Sequence, residues 1–312
     1  METKDDSASD PGKRLRELVE SDEITALPGA YDALSAKLVE EAGFETVFTS
    51  GFGISASTLG LPDLGYLDMS ENVGRVRQIS RAVEIPLVAD MDTGYGNALN
   101  VRRTVRECID AGVAGAILED QEWPKRCGHM DEKRVVPAEE HARRIEAAAD
   151  VRDESPNDFV IIGRTDAREP HGLDEAIRRG REYEEAGADV VFVEAPESRD
   201  ELETVADAFD APTFANMIEG GKTPYLPYQE LDEIGFDIVV YPLSSLFAAT
   251  RAMKETLETL REEGETTGVP TATFDEFDEV IGAEEQRERK GRARHRVDVA
   301  PQRDGVRGQR HL

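Results

Sequence analysis

The stretch "EEAGADVVF", residues 184–192, contains the pattern that decides the fold. Its charged, helix-favouring start ends at Gly187, a residue suited to the left-handed position after a helix, and the following "DVVF" is typical of a buried strand. The same order recurs in "EEAGFETVF" (40–48), "IDAGVAGAI" (109–117) and "DEIGFDIVV" (232–240). A chain that repeats this unit is predicted to alternate helices with parallel strands.

Eight short apolar runs are nearly continuous rather than alternating, which favours strands buried on both faces. They are "EITAL" (23–27), "ETVFTS" (45–50), "PLVADMD" (86–92), "AGAILED" (114–120), "FVIIGRTD" (159–166), "DVVFVEA" (189–195), "PTFANM" (212–217) and "DIVVYPLS" (237–244). Amphipathic segments between them are predicted to be helices. Residues 32–43 would bury Leu34, Leu38 and Ala42, and residues 100–112 would begin at Asn100 as the N-cap.

Eight strands, each followed by helical or connecting sequence, favour an α/β fold of the (β/α)8, TIM-barrel type with a C-terminal helical extension. A doubly wound sheet would need a phosphate-binding glycine turn, and "SGFGISASTLG" (50–60) does not match that motif. We predict a frayed terminus at 1–12, one barrel domain at 13–285 and a basic tail at 286–312. The tail holds nine basic and three acidic residues, and no apolar periodicity follows Ile281. We expect a divergent, disordered or frame-shifted end, with a basic arm that binds nucleic acid as the alternative.

The chain is strongly acidic, with a formal net charge of −29. Such a surface repels nucleic acid and anionic membranes, and it is typical of proteins adapted to a salt-rich cytoplasm. No stretch has the length of a membrane span or the pattern of a signal peptide. The two cysteines, Cys108 and Cys127, do not suggest a disulfide framework, and Cys108 is predicted to be a core residue on a helix.

Polar residues collect where the predicted strands end, which is the active-site face of such a barrel. Asp90 and Asp92 end the third predicted strand, Glu119 ends the fourth, and Asp63 lies in the loop after the second. Because Asp90 and Asp92 are two apart on a strand, both side chains are expected on one side of it. Clustered carboxylates repel one another unless a cation is present, and hard oxygen ligands suit Mg²⁺ or Mn²⁺. Arg164 ends the fifth strand, where it could bind a substrate carboxylate or pair with Glu194.

The loop "WPKRCGHMDEKR" (123–134) concentrates basic groups around a thiol. Lys125, Arg126 and His129 would lower the pKa of Cys127, which favours a reactive role for this cysteine. The connection between the fourth and fifth strands is long, and long loops at a barrel mouth are commonly lids.

At these residues the sequence resembles the isocitrate lyase and phosphoenolpyruvate mutase superfamily. "KRCGH" (125–129) is similar to the lyase signature K-[KR]-C-G-H, and further family motifs follow in order over about residues 12–265. They are "SGFGISASTLGLPDLG" (50–65), "DMDTGYG" (90–96), "EDQ" (119–121), "GRTDA" (163–167), "VEA" (193–195), "AN" (215–216) and "YPLS" (241–244). Phosphonopyruvate-type members usually lack the Cys-Gly-His loop, and a non-catalytic barrel would need none of these groups.

The resemblance implies a role for each matching residue. Asp92 would bind Mg²⁺ directly, and Asp90, Asp63 and Glu119 would act mainly through metal-bound water. Cys127 would be the acid or base, tuned by Lys125, Arg126 and His129. The residues expected to bind substrate are Ser50, Gly51, Phe52, Gly128, Arg164, Glu194 and Asn216. The resemblance also implies a homotetramer that exchanges its C-terminal helix between neighbours.

The implied reaction is retro-aldol cleavage of a small 2-hydroxy polycarboxylate. We expect isocitrate as substrate, giving glyoxylate and succinate in the glyoxylate bypass, with 2-methylisocitrate and 2-alkylmalates as alternatives. Two arginines that hold a distal carboxylate in 2-methylisocitrate lyases would fall at Phe247 and Phe274 in this chain. That departure leaves the choice among these substrates open.

Overall fold

The computed structural model describes residues 10–126 and 132–289, and it contains a closed barrel of eight parallel strands. The barrel closes where β1 pairs with β8, Thr25 lying opposite Ile238. The strands are β1 (Thr25–Ala30), β2 (Val47–Thr49), β3 (Leu87–Asp90), β4 (Gly115–Glu119), β5 (Val160–Thr165), β6 (Val190–Val193), β7 (Thr213–Asn216) and β8 (Ile238–Tyr241). The predicted (β/α)8 fold is confirmed, and only β1 is displaced towards the C-terminus from its expected position.

Helices precede, separate or follow the strands along the chain. They are α1 (Pro11–Val19), α2 (Ala33–Glu41), α3 (Gly51–Leu59), α4 (Met69–Ser80), α5 (Ala98–Ala111), α6 (Ala138–Glu154), α7 (Arg168–His171), α8 (Leu173–Glu185), α9 (Arg199–Ala206), α10 (Tyr228–Ile234), α11 (Ser244–Glu263) and α12 (Phe274–Val280). Glycines of the repeated phrase, Gly43, Gly112, Gly187 and Gly235, all have positive φ. Because L-residues with a side chain rarely adopt this conformation, glycine is the residue that lets each helix turn into the next strand.

Two details of the helices differ from the sequence-based expectation. Asn97, rather than Asn100, caps α5, and Asn100 completes the capping box from inside the helix. On α2 the buried residues are Ser35, Ala36 and Val39, whereas Leu34 and Leu38 are 38% and 48% exposed. The predicted buried face of α2 was therefore wrong for this single chain.

The apolar core has an inner and an outer part. Inside the barrel the rings of Phe192 and Phe214 pack with centroids 4.7 Å apart, at the centre of a cluster that also contains residues of β1, β2 and β8. Outside it, the apolar faces of the helices pack on the strands, and Cys108 lies fully buried there, as predicted. Burial raises the pKa of the Cys108 thiol to about 12, so this cysteine stays a protonated core residue.

The chain divides into two compact units, residues 1–266 with the barrel and residues 267–312 with α12. Residues 1–9 and most of the predicted basic tail lie outside the described residues, so the proposed division at 12 and 285 stays a prediction. Among the described residues, no helix combines the length and the apolar character that crossing a bilayer requires.

Candidate active site

Strand ends and the loops after them bring the predicted acids and the arginine into one pocket. Its described lining includes Ser50, Phe52, Asp63, Asp90, Glu119, Lys125, Arg164 and Asn216. All of the described acids predicted to bind metal therefore lie at the same barrel mouth, where Asp92 also lies beside Lys125. The space left in this pocket is about 40 Å³, room for a few water molecules.

The ammonium of Lys125 lies inside the acid cluster. Its Nζ is 2.8 Å from Asp63 Oδ2 and 2.6 Å from Asp92 Oδ1, and only 2% of the side chain is exposed. The predicted tuning of Cys127 by Lys125 stays a prediction, since residues 127–131, including Cys127, Gly128 and His129, lie outside the described residues. In the described structure Lys125 contacts the carboxylates instead.

The backbone after β3 determines where the carboxylates of Asp90 and Asp92 lie. β3 ends at Asp90, so Asp92 lies beyond the strand, and its φ of 50° is unusual for a residue with a side chain. The Asp90 carboxylate accepts hydrogen bonds from the backbone amides of Gly51, at 3.2 Å, and Asp92, at 3.1 Å. The two aspartates were expected on one side of a strand; instead, Asp90 holds the turn that presents Asp92.

Burial changes the protonation of this cluster. It raises the pKa of the Asp92 carboxyl to about 6, although Lys125 opposes the shift. Burial also raises the pKa of Glu119 well above its ordinary value, against the opposing charge of Arg164. For Lys125, burial alone would lower the pKa, but Asp92 and Asp63 outweigh it and raise the pKa well above the ordinary value. Lys125 is thus a permanent cation here, and the acids around it depend on a positive charge.

Arg164 pairs mainly with an acid that we did not predict as its partner. Its Nε and Nη2 donate to the two oxygens of Asp166 at 2.9 and 3.0 Å, whereas Glu119 and Glu194 are each 3.5 Å away. Its guanidinium also lies over the ring of Phe192, 5.0 Å from the centroid. The guanidinium of Arg164 is therefore held in place at the pocket wall, where a ligand could contact it.

A buried network behind Arg164 fixes Asp166. Lys133 Nζ donates to Asp166 at 2.9 Å, and Asp120 accepts from the Asp166 amide, from Thr165 and from Tyr183, each at 2.8 Å. Burial works against ionisation of Asp166, but Arg164 and Lys133 hold its pKa far below the ordinary value. Our site prediction did not include Lys133, Asp120 or Asp166; the signals were present in "EDQ" and "GRTDA", whose strands β4 and β5 are neighbours.

Of the remaining predicted residues, some line the pocket and others do not. Ser50 caps α3 by accepting from the Gly53 amide, and Asn216 Nδ2 lies 3.2 Å from Glu194 Oε2. The backbone of Arg126 is held by Gln121 through two hydrogen bonds, at 2.8 and 2.9 Å. Its side chain is half exposed and lies 3.3 Å from Glu132, so it does not join the acid cluster.

The cluster has features that suit a hydrated divalent cation. A Cβ added to Gly51 would lie 2.9 Å from Lys125 Nζ and 3.1 Å from Asp92 Oδ1, so this glycine keeps a place open beside the acids. The buried Glu119 Oε1 accepts no hydrogen bond from the described residues. Within those residues no three acids, histidines or cysteines are placed to hold a metal ion directly. The oxygen donors that are present are of the kind that Mg²⁺ prefers, an ion that keeps several of its waters.

Known proteins with related sequences and structures share this architecture. The family model described as phosphoenolpyruvate phosphomutase matches residues 15–261. A 2,3-dimethylmalate lyase from Eubacterium barkeri is 46% identical, over 88% of this chain and 95% of its own length. Other relatives are named 2-methylisocitrate lyase.

Two solved structures have the same fold as this chain. An oxaloacetate acetylhydrolase in complex with the inhibitor 3,3-difluorooxalacetate superimposes with a TM-score of 0.88 at 38% identity, covering 91% of this chain and 98% of its own. A phosphonopyruvate hydrolase in complex with oxalate and Mg²⁺ has a TM-score of 0.81 at 33% identity, covering 91% and 99%. The prediction of an enzyme of the carbon–carbon lyase class is confirmed by these relatives. The chain belongs to the phosphoenolpyruvate phosphomutase family, within the phosphoenolpyruvate mutase/isocitrate lyase superfamily.

Proposed function

We propose that this enzyme cleaves a malate that carries alkyl substituents, by a Mg²⁺-dependent retro-aldol reaction. The observation that carries the proposal is the mixed chemistry of the pocket lining. The acid cluster and Arg164 share the pocket with apolar side chains, which are Phe48, Phe52, Ile117, Phe192, Val240, Pro242 and Leu243. A 2-hydroxy dicarboxylate with methyl groups matches both kinds of side chain.

Each residue has a defined part in this reaction. Asp92 would bind the ion directly, and Asp63, Asp90 and Glu119 would hold its waters; the metal, when bound, supplies Lewis-acid stabilisation of the 2-oxygen. The 2-hydroxyl would give its proton to a carboxylate of the acid cluster, C2 would become a carbonyl carbon, and the C2–C3 electron pair would pass to the leaving acid as an enolate. Arg164 would stabilise that enolate, and Cys127 would protonate it at C3.

The apolar side chains of the pocket favour alkylmalates over the tricarboxylates. Isocitrate and 2-methylisocitrate both carry a third carboxylate, and burying an unpaired charge against apolar side chains is costly. Arg164 is the single arginine among the described residues that line the pocket. At Phe247, where 2-methylisocitrate lyases would place an arginine, the ring packs edge-on against Phe52, with centroids 6.2 Å apart. Our expectation of isocitrate, and with it the glyoxylate bypass, has less support from this pocket.

A substrate panel tests the proposal. The purified protein is incubated at high salt with Mg²⁺ and, separately, with 2,3-dimethylmalate, 2-methylisocitrate, isocitrate or oxaloacetate, and products are identified by chromatography. We expect pyruvate and propionate from 2,3-dimethylmalate, with kcat/KM at least tenfold above that for either tricarboxylate. Faster release of glyoxylate from isocitrate would restore the tricarboxylate assignment. Oxalate and acetate from oxaloacetate alone would indicate a hydrolase instead.

We also propose a homotetramer in which α11 packs against a neighbouring copy. In the single chain none of the residues of this 20-residue helix is buried, and Met253 and Leu257 are 57% and 63% exposed. Light scattering should give four times the chain mass of 34.4 kDa, and a monomer at micromolar concentration would contradict the proposal. The salt-adapted, cytoplasmic setting stays a prediction from the net charge.

A further inference from the structure

Lys125 takes the place in the acid cluster that a bound cation would need. Its Nζ contacts Asp63 and Asp92 at ion-pair distance, and Asp90 and Glu119 line the same pocket. The acid cluster therefore contains one positive charge contributed by the chain itself. The ammonium is almost completely shielded from water, so it is part of the cluster rather than a passing surface contact.

A divalent cation and this ammonium cannot share the cluster in the same arrangement. Mg²⁺ binds carboxylate oxygen at about 2.1 Å, and Asp92 Oδ1 is already 2.6 Å from Nζ. The room that Gly51 leaves open is filled by Nζ, since it is the atom nearest to where a Cβ would lie. Two cations at such a distance repel strongly in a buried site. Binding of one therefore requires that the other move away.

A movement of Lys125 would change the surroundings of Trp123, two residues earlier in the chain. Trp123 packs against the ring of Tyr95, with centroids 5.8 Å apart, and against Gly65. It is the single tryptophan of the sequence, which makes it an internal reporter of this segment. On the other side of Lys125, Gln121 bonds the backbone N–H and C=O groups of Arg126. Since Arg126 is held there, a shift of Lys125 is expected to reach Trp123.

We propose that Lys125 is an exchangeable internal cation, which occupies the acid cluster until a divalent ion displaces it and so links metal binding to the position of residues 123–126. This rests on the proposed metal site. The exchange lowers the apparent affinity for the ion, because only the fraction of molecules with Lys125 outside the cluster can bind it. It also stabilises the four acids when no metal is bound, since unpaired buried carboxylates are costly.

The first test uses the unmodified protein, which avoids any question of folding. Mg²⁺ is titrated while the emission of Trp123 is recorded, and Mn²⁺ binding is measured by calorimetry. We expect the emission to change and to saturate with Mg²⁺. Emission that stays constant while Mn²⁺ binds would overturn the exchange but leave the metal site intact. Failure to bind Mn²⁺ at all would instead refute the proposed metal site, and the exchange with it.

The second test compares two buried lysines. Lys125→Met removes the ammonium from the acid cluster, and Lys133→Met removes an equally buried ammonium that pairs with Asp166 instead. We expect Lys125→Met to bind Mn²⁺ roughly tenfold more tightly than the unmodified protein, and Lys133→Met to change the Kd less than threefold. Equal or weaker binding by Lys125→Met, in a protein that is folded by circular dichroism, would overturn the proposal.

Discussion

Replacing Arg164 with lysine lowers kcat/KM for the preferred malate roughly 10³-fold, an expected loss of about 4 kcal/mol of transition-state stabilisation. The guanidinium bonds Asp166 through two of its nitrogens, lies over Phe192 and still faces the pocket. A lysine ammonium is a point charge and cannot hold Asp166 and a substrate carboxylate in one plane. Steady-state kinetics measure the loss, and we expect it in kcat as well as in KM.

Arg168→Lys is a matched control for this change. Arg168 also makes a two-point pair, with Glu201 at 2.9 and 2.7 Å, but it lies outside the residues that line the pocket. We expect kcat/KM to stay within threefold of the unmodified enzyme. If Arg164→Lys kept more than a tenth of the activity while remaining folded, or if Arg168→Lys lost as much, the role assigned to Arg164 would be wrong.

The barrel could be predicted because its signals are local. A glycine that accepts positive φ after each helix, followed by an apolar run, is visible within nine residues, and Gly187 and Gly235 both adopt that conformation. The placement of the acids followed from the same rule, since parallel strands bring their carboxyl ends to one face. The buried face of α2 could not be predicted in the same way, because Leu34 and Leu38 suit a helix face that this chain leaves exposed.

The side-chain pairings inside the site were harder to predict from the sequence. The sequence shows that basic residues gather near Cys127, but which of them turns inward depends on contacts far away in the chain. Lys125 meets Asp63, 62 positions earlier, and Lys133 meets Asp166, 33 positions later. Each lysine is paired with an acid that its own neighbourhood does not contain, so charge spacing alone could not assign the partners.

These pairings explain why an acidic protein has basic residues in the loop 123–134. Lys125 and Lys133 flank residues 127–131, and both are buried among carboxylates rather than spread on the surface. A buried ion pair contributes little net stability but is costly to break on one side. The two lysines therefore fix residues 125 and 133, on either side of that segment, to carboxylates of the barrel.

Gly51→Ala tests the space beside the acids directly. The added methyl group would lie 2.9 Å from Lys125 Nζ, 3.1 Å from Asp92 Oδ1 and 3.4 Å from Asp63 Oδ2. The lysine end can move away, and the methyl group then occupies the place of an ion or of its waters. We expect Mn²⁺ affinity and kcat/KM each to fall about 10²- to 10³-fold, measured by calorimetry and steady-state kinetics, a loss of about 3 to 4 kcal/mol.

The matched control is Gly74→Ala in α4, where nothing lies within 4 Å of the added Cβ. Gly74 lies inside α4, where alanine is expected to stabilise the chain by up to about 1 kcal/mol. Gly51 is the first residue of α3, where this gain is smaller and the close contacts of the added methyl group oppose it. Thermal unfolding measures the stability of each variant, and a loss of metal binding by folded Gly51→Ala alone comes from the space beside Asp92. A Gly51→Ala enzyme with normal Mn²⁺ affinity would show that the ion binds elsewhere.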